Sequence, residues 1–241
     1  MNAFFEGVQC SLINFNNFAK NYYTFLLKKF CLDGIFMNVE EMERKLKPKG
    51  EVSIIGCGRL GVRVAFDLLE VHRGGVEKVY VFDNAKIEEN DIVHRRLGGK
   101  VGEYKVDFIK RFFGNRVEAF RENITKDNLH LIKGDVAVIC IAGGDTIPTT
   151  KAIINYCKER GIKTIGTNGV FGIEEKIKVC DAKYAKGPAK FLNLDEEGHI
   201  VVGTEKFIRD FEPITPYTLD EIAKRMVIEC LRILWSKYYK S

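Results

Sequence analysis

The sequence lacks a segment that could hold it in a membrane. Its longest core-like apolar run is Val136–Ala142, far short of the ~20 residues that a helix needs to cross a bilayer. The first residues, MNAFFEGVQC, have neither the basic start nor the long apolar stretch of a secretory signal peptide. We therefore expect no membrane association and no export.

Cysteine pairs and metal-binding patterns are also missing. The seven cysteines are an odd number and form no CxxC pair, and several lie in apolar runs, where cysteine behaves as a small hydrophobic residue. The four histidines are far apart along the chain (His72, His94, His130 and His199). This usage predicts a reducing, cytoplasmic environment without a disulfide framework or a structural zinc site.

Charge is not concentrated anywhere in the chain. The net charge of +5 is spread over the sequence without a block of five or more like charges, so nucleic-acid binding is not indicated and a small anionic ligand is equally compatible. The length of 241 residues suits one large domain with extensions.

Between residues 51 and 167, short apolar strands alternate with amphipathic helices. The predicted strands are Glu51–Ile55, Lys78–Phe82, Arg116–Phe120, Asp135–Ala142 and Lys163–Thr167. The predicted helices are Arg59–His72, Gly102–Gly114 and Pro148–Arg160, with a polar loop containing a short helical turn at Asp83–Gly99. This alternation predicts a Rossmann-like α/β fold, with a mostly parallel sheet, right-handed crossovers and flanking helices.

Two segments flank this core, so the predicted domains are 1–49, 50–172 and 173–241. The first is an aromatic-rich helical extension, with helices expected at Leu12–Phe30 and from Asn38 to Lys47. The last should pack on the core with an antiparallel segment at Glu174–Cys180, a hairpin turn at Asp195–Gly198, a strand at Ile200–Val202 and a helix to Tyr238 opened by a Thr218–Glu221 capping box. Both terminal helices have wide apolar faces, which indicate either a homodimer contact or packing of the two helices on each other.

The turn GCGRLG links the first predicted strand to the first predicted helix. In this context Gly56 makes a tight turn, Gly58 lets the backbone approach a phosphate, and Gly61 permits close helix–sheet packing. The helix N-terminus adds free N–H groups and a positive dipole. Asp83, at the end of the second strand, can accept hydrogen bonds from ribose hydroxyls. The predicted nucleotide-binding residues are Gly56, Gly58, Arg59, Gly61, Asp83, Asn84 and Arg96. The alternative is a tight turn that binds nothing.

Cations and a carboxylate follow where the phosphates would lie. Arg95, Arg96 and Lys105 suit the phosphates of a triphosphate, although each alone could be a solvated surface charge. Asp145 comes just after the fourth strand, at the sheet edge where α/β folds bind ligands. Its carboxylate could hold Mg²⁺, or it could cap the next helix.

In this order the motifs resemble the ubiquitin-activating-enzyme-like superfamily, the ThiF, MoeB and HesA adenylyltransferases. The resemblance runs from Val52 to about Gly172. GCGRLG looks like the family's glycine loop, and Asp83 looks like its aspartate. Arg95 looks like its signature arginine, and Gly102–Lys105 looks like its Gly-x-x-Lys. Asp145 looks like its catalytic aspartate, with Asn155 and Cys157 as the Asn and Cys that follow.

The chain also departs from the family pattern. Ala85 replaces the second acid of an Asp-x-Asp motif, and Arg96 stands where a glutamine follows the signature arginine. The zinc-binding CxxC pairs are missing, and the arginine that acts across the dimer has only a weak match in Arg44. Cys180 is the nearest cysteine to a thioester position, but it lies in a strand pattern. These departures predict adenylylation without a sulfur-transfer or thioester step.

The resemblance implies ATP-dependent adenylylation of a small-molecule carboxylate, with ATP and Mg²⁺ as cofactors. Asp145, Arg95 and Lys105 would be catalytic, and Asp145 would also hold the metal. In overall plan the chain resembles family members that serve synthesis of the iron-guanylylpyridinol cofactor of a hydrogenase in methanogens. That implies a guanylylpyridinol carboxylate as substrate, with an acceptor protein for the activated acyl group also possible. An NAD(P)-dependent oxidoreductase and a non-catalytic nucleotide-binding protein stay open as alternatives.

Overall fold

The computed structural model describes residues 39–142, 144–173 and 176–240. The chain divides into two compact units, residues 1–45 and 46–241. In the first unit, helix α1 (Val39–Lys45) has acidic residues in its first turn and basic residues in its last, an order that favours the helix dipole. The predicted helix at Leu12–Phe30 lies outside the described residues.

The second unit is built on a seven-stranded sheet in the order β3-β2-β1-β4-β5-β7-β6. The strands are β1 (Glu51–Ile55), β2 (Lys78–Phe82), β3 (Val117–Phe120), β4 (Val136–Ile139), β5 (Lys163–Thr167), β6 (Lys178–Asp181) and β7 (His199–Gly203). All neighbours are parallel except β6 and β7, which are antiparallel. The predicted Rossmann-like, mostly parallel sheet is therefore confirmed.

Helices cover both faces of this sheet. They are α2 (Arg59–Leu69), α3 (Ile92–Arg96), α4 (Lys105–Phe113), α5 (Ile147–Glu159), α6 (Pro188–Phe191) and α7 (Pro216–Tyr238). Successive side chains of a strand point to opposite faces, so Ile54 of β1 lies in a core with α2, α4 and α7. The adjacent Ile55 lies in a second core with α5. No helix among the described residues is long and apolar enough to cross a membrane.

The last two strands join the sheet in an order that the sequence pattern does not predict. Strand β7 pairs in parallel with β5 on one side and antiparallel with β6 on the other. The predicted hairpin at Asp195–Gly198 is wrong, because the chain before that turn forms α6 rather than a strand. The predicted antiparallel pairing of this part of the chain is confirmed for β6.

The long C-terminal helix begins earlier than its predicted capping box. Thr215 is the N-cap, and its Oγ1 accepts the backbone N–H of Thr218 at 3.3 Å. Thr218 is buried in the first turn, where its hydroxyl donates to the carbonyl of Gly172 at 3.1 Å. The capping box at Thr218 and Glu221 is therefore wrong, since the Thr218 hydroxyl is used for a tertiary contact.

The start and the end of the second unit meet beside the sheet. The Asp135 carboxylate accepts the backbone N–H of Glu51 at 2.9 Å and the Tyr238 hydroxyl at 3.0 Å. Tyr239 donates its hydroxyl to the carbonyl of Lys47 at 2.6 Å. The final helix is thereby tied to the residues that lead into β1.

Candidate functional site

The glycine turn lies between the ends of three neighbouring strands. The Gly56 N–H donates to the carbonyl of Phe82 at the end of β2, at 2.9 Å. A Cβ added to Gly56 would lie 3.0 Å from the backbone of Cys140, just beyond β4, and Gly56 has a φ of +90°. Only glycine fits here without strain.

The other two glycines of the turn have opposite surroundings. A Cβ on Gly61 would lie 1.9 Å from the carbonyl oxygen of Gly56, so that glycine permits the close packing of α2 on the turn. A Cβ on Gly58 would meet no atom of the described residues within 4 Å. Within the described part of the chain, the Gly58 N–H donates to no protein acceptor. Gly58 therefore presents an open backbone donor to the crevice beside the glycine turn, at the carboxyl ends of β1, β2 and β4.

The position of this crevice is the one at which open α/β sheets bind ligands. Strands β1 and β4 are neighbours in the sheet, and the chain leaves β1 towards β2 but leaves β4 towards β5. The two connections run in opposite directions, which makes this a switch point. Helix α2 begins at Arg59 directly over the crevice, with no acidic residue in its first turn. Its N-terminal N–H groups and dipole favour an anion, and the side chain of Arg59 is exposed.

Asp83 links the end of β2 to the glycine turn. One carboxylate oxygen accepts the backbone N–H of Cys57 at 2.8 Å, and the other accepts that of Ala85 at 2.7 Å. The carboxylate is thus held in a fixed orientation beside Gly58, with lone pairs left for further donors. Its neighbour Asn84 is exposed, and its backbone N–H donates to the Asn123 side chain at 3.2 Å.

Lys105 is in a buried ion pair, and its charge acts on the Cys57 thiol of the glycine turn. Its ammonium is 3.1 Å from an oxygen of Asp91, and the two side chains are only 13% and 10% exposed. Burial alone would raise the pKa of Asp91, but the backbone N–H of Glu88 and the Lys105 ammonium outweigh it and lower that pKa. Asp91 is therefore a fixed negative charge behind the turn.

His94 lies between this ion pair and the glycine turn. Its ring is fully buried, and Nε2 lies 2.9 Å from the carbonyl oxygen of Cys57. Nδ1 is 3.9 Å from Asp91 and has no hydrogen-bond partner among the described residues. Burial lowers the pKa of His94, so the neutral ring donates Nε2–H to Cys57 and leaves Nδ1 as a bare acceptor.

Arg95 and Arg96 lie outside this arrangement. Both are exposed on α3, and the Arg95 guanidinium pairs with Glu89 at 3.1 Å and donates to the Glu89 carbonyl at 2.8 Å. No contact joins either arginine to the glycine turn within the described ranges. Helix α3 instead turns His94, one residue before the predicted signature arginine, towards the turn.

Asp145 is exposed in a short 3₁₀ turn between β4 and α5. It lies beyond the carboxyl end of β4, the strand next to β1. On the following helix, Asn155 is exposed whereas Cys157 is buried in the second core. Of these three residues, only the first is positioned to reach a ligand above the sheet.

Four cysteine thiols of the sheet, its loops and its helices have raised pKa values. Burial raises the pKa of Cys140 and of Cys157 to about 12, and burial together with Asp83 raises that of Cys57. Cys180 on β6 is half-buried, and burial followed by the charges of Glu205 and Asp181 raises its pKa. A thiolate nucleophile is disfavoured at each of these four positions.

The described residues contain no metal-ligand cluster, and the two cavities below do not include the glycine turn. Among the described residues, no three His, Cys, Asp or Glu side chains converge as a metal site. Two open cavities, of about 480 and 230 Å³, lie near the start of β5, where Lys163 lines both. They contain no predicted site residue. At the crevice beside the turn, the open donor is the backbone N–H of Gly58.

Sequence reasoning missed Asp91 and left His94 without a role. Both belong to a charged segment that is most simply interpreted as a solvated loop. The available signal was their spacing, since an Asp three residues before a His places both on one side of a helical turn. Their burial depends on α3 packing beneath the glycine turn, which local sequence does not encode.

Comparisons with known proteins identify relatives by family pattern and by structure. The ThiF family pattern matches residues 33–198. Guanylylpyridinol- and ATP-bound HcgE from Methanothermobacter marburgensis is 46% identical, with a TM-score of 0.75 over 79% of this chain and 98% of that one.

Two more distant structures share the fold. E. coli tRNA N6-threonylcarbamoyladenosine dehydratase TcdA is 18% identical, with a TM-score of 0.66 over 83% of this chain and 92% of that one. E. coli MccB with ATP is 20% identical, with a TM-score of 0.54 over 82% of this chain and 59% of that one. The family pattern and the 46% identity together decide the assignment: the chain belongs to the ThiF family of ATP-dependent adenylyltransferases.

Proposed function

We propose that this chain uses Mg-ATP to activate the carboxylate of a guanylylpyridinol, forming an acyl-adenylate and releasing pyrophosphate. The observation that carries the ATP part is the open backbone donor at Gly58, set over the N-terminus of α2 and beside Asp83. The 46% identity to HcgE, whose structure holds guanylylpyridinol and ATP, supports the choice of acid.

In this proposal the glycine turn receives the phosphates and Asp83 receives the ribose. The N–H groups of Gly58 and the first turn of α2 are free to donate to phosphate oxygens, because a helix leaves its first N–H groups without partners. Asn84 and Arg59 are exposed beside the same crevice. The fixed carboxylate of Asp83 would accept the ribose hydroxyls.

The reaction needs positioning and neutralisation of charge rather than a protein nucleophile. A carboxylate oxygen of the substrate attacks the α-phosphorus, the new acyl–phosphate bond forms, and the bond to the β-phosphate breaks with pyrophosphate leaving. Lys105, Arg95 and Arg96 would neutralise the negative charge on the departing group. Lys105 would first have to leave Asp91, its partner at 3.1 Å.

Asp145 would hold Mg²⁺. Magnesium usually takes one or two carboxylates, substrate phosphates and water, and seldom a cage made only of protein. A single exposed carboxylate beyond the end of β4 fits that requirement, and it needs no further acidic residue nearby. Held by Asp145, the metal would supply positive charge that offsets the negative charge of the phosphates.

We further propose that the chain acts as a homodimer and that residues 1–49 contribute to the contact. Helix α7 has a second apolar set beyond its core stripe, and of these residues Trp235 is 43% exposed while Ile228 and Leu231 are half-buried. Light scattering of the full chain and of a variant lacking residues 1–38 tests this. A full chain that is monomeric at micromolar concentration would contradict it. Whether an acceptor protein then takes the acyl group is a separate test.

Pyrophosphate exchange tests the activity. With Mg-ATP and labelled pyrophosphate, we expect label to enter ATP only when guanylylpyridinol is present, and no exchange with its amide. Calorimetric titration with Mg-ATP and with NADH separates the alternatives. NADH binding without ATP binding would favour the oxidoreductase alternative, and ATP binding without exchange for any carboxylic acid would favour a non-catalytic protein.

A further inference from the structure

One ring nitrogen of the buried histidine behind the glycine turn has no hydrogen-bond partner within the described part of the chain. His94 is 0% exposed, its Nε2 faces the Cys57 carbonyl, and its Nδ1 points towards Asp91 at 3.9 Å without a hydrogen bond among the described residues. A buried polar atom without a partner costs free energy. The position therefore calls for an explanation.

The groups around the ring are few and defined. Asp91 is the N-cap of α3, and the glycine turn contributes the carbonyl of Cys57. Helix α4 contributes the Lys105 ammonium, which pairs with Asp91, and the ring of Phe108, whose centroid lies 6.2 Å from that of His94. The Asp83 carboxylate, at the end of β2, also acts on the imidazole charge. Of these, Asp91 is the acid nearest to Nδ1, and Lys105 is the cation that competes for it.

We propose that His94 takes up a proton on Nδ1 when nucleotide binds, and thereby replaces Lys105 as the partner of Asp91. The inference rests on the proposed function, because it requires Lys105 to leave the ion pair for the phosphates. A carboxylate with only 10% exposure would otherwise be left buried and unpaired, which is strongly unfavourable. The proton comes from solvent or buffer and forms an N–H bond at Nδ1, and no bond between heavy atoms changes.

The geometry suits this exchange. A protonated imidazole donates from both nitrogens, so Nε2–H keeps its bond to Cys57 while Nδ1–H turns to Asp91. The Cys57 carbonyl stays pinned, and across a planar trans peptide this fixes the direction of the Gly58 N–H. The lysine is thus released without loosening the phosphate-binding turn. His94 acts as a positioning residue and touches no ligand.

The sign of the pH dependence follows from linkage. In the free protein His94 is neutral near pH 7, because burial lowers its pKa. With Lys105 gone and Asp91 unpaired, the same ring has a raised pKa. The complex then holds more protons than its components, so Mg-ATP affinity falls as pH rises through the pKa of the complex. An uptake of about half a proton weakens binding roughly threefold per pH unit.

Calorimetry of Mg-ATP binding in two buffers of different ionisation enthalpy counts the protons directly. At pH 7 we expect the wild type to take up roughly half a proton per nucleotide more than His94→Gln. The glutamine places an amide N–H where Nε2–H was, so the turn is kept and only the titration is lost. His72→Gln, at an exposed histidine, should match the wild type. Protonation of ATP itself is common to all variants and cancels.

Asp91→Asn is a second variant, which tests the exchange even if His94→Gln does not fold. It removes the charge that retains the proton, so its proton count should fall to that of His94→Gln. Equal counts in wild type and His94→Gln, with Mg-ATP bound by both, would overturn the exchange while leaving the proposed function intact. Failure of the wild type to bind Mg-ATP at all would overturn both.

Discussion

The carboxylate of Asp83 accepts the backbone N–H of Cys57 at 2.8 Å, and this bond joins the end of β2 to the glycine turn after β1. The same carboxylate holds the N–H of Ala85. The ends of β1 and β2 beside the crevice are therefore held together by one side chain. Asp83 shapes the turn even before any ribose is bound.

Asp83→Asn should weaken the turn and the binding together. Asparagine keeps one acceptor oxygen, so either Cys57 or Ala85 loses its partner. We expect the free energy of unfolding to fall by about 1–2 kcal/mol and the Mg-ATP Kd to rise at least about tenfold. Urea denaturation and calorimetry measure the two effects. Asp127→Asn, at an exposed carboxylate, is the matched control, and equal ATP affinity in both variants would contradict the role of Asp83.

Alanine at Gly58 and at Gly61 should separate binding from folding. Gly58 has a φ of −69° and free space around its missing Cβ, so Gly58→Ala should leave the melting temperature unchanged. The added methyl would occupy the approach of a phosphate, and we expect the Mg-ATP Kd to rise more than about tenfold. Unaltered ATP binding by Gly58→Ala would remove the turn from the site.

Gly61→Ala should have the opposite profile. Its Cβ would lie 1.9 Å from the Gly56 carbonyl oxygen, so helix α2 must move away from the turn. We expect a loss of unfolding free energy of roughly 1–3 kcal/mol or more, measured by thermal or urea denaturation. A melting temperature equal to that of the wild type would contradict the close packing of α2 on the glycine turn.

Asp145→Asn should reduce turnover without affecting the fold. The side chain is exposed, so its replacement costs little stability. A neutral amide is a poorer ligand for Mg²⁺, and we expect pyrophosphate exchange to fall about 100-fold or more. Raising the Mg²⁺ concentration should partly restore the rate. Unchanged exchange at limiting Mg²⁺ would exclude Asp145 from the metal site.

His199 should make the fold sensitive to mild acid. It is buried, its Nδ1 bonds to the hydroxyl of Thr164 at 2.8 Å, and burial lowers its pKa to about 4. The unfolded chain binds a proton at this residue near pH 6.5 and the folded chain does not, so stability is lost as pH falls from about 6.5 to 4. The loss from this residue approaches about 3 kcal/mol.

His199→Asn is the variant that tests this. The amide can keep a hydrogen bond to Thr164 and does not titrate. We therefore expect its free energy of unfolding to fall less steeply between pH 6.5 and 4 than that of the wild type. The exposed His130→Asn should behave as the wild type. Parallel pH profiles for wild type and His199→Asn would contradict the lowered pKa.

The central strands could be predicted because each is a short apolar run between glycines, prolines or charges. The predicted bounds of β1, β2 and β5 match the structure. The place of β7 between β5 and β6 could not be predicted, because pairing between distant segments produces no periodic pattern in the local sequence. The N-cap of α7 was missed for a different reason, since Thr215 and Thr218 both precede helical residues and only tertiary contacts distinguish them.

The candidate site likewise has one part that the sequence predicts and one part that it does not. The glycine turn and Asp83 could be found from spacing alone, because the backbone geometry of the turn demands glycine at fixed positions. The role of His94 could not be found, because a histidine among charged residues looks solvated. Tertiary packing of α3 against the glycine turn and α4 buries it. Burial of a polar residue is a property of the fold rather than of its local sequence.

The contacts of Tyr239 with Lys47 and of Asp135 with both Glu51 and Tyr238 have a consequence for engineering. The first residues of the 46–241 unit lie near Tyr238 and Tyr239 at the end of its last helix, so a short glycine–serine linker can join the two ends. New termini can then be opened in an exposed loop such as Asp195–Gly198, a kind of site at which circular permutation usually succeeds. Such a rearranged chain would keep the nucleotide crevice on an uncut segment from β1 to α5.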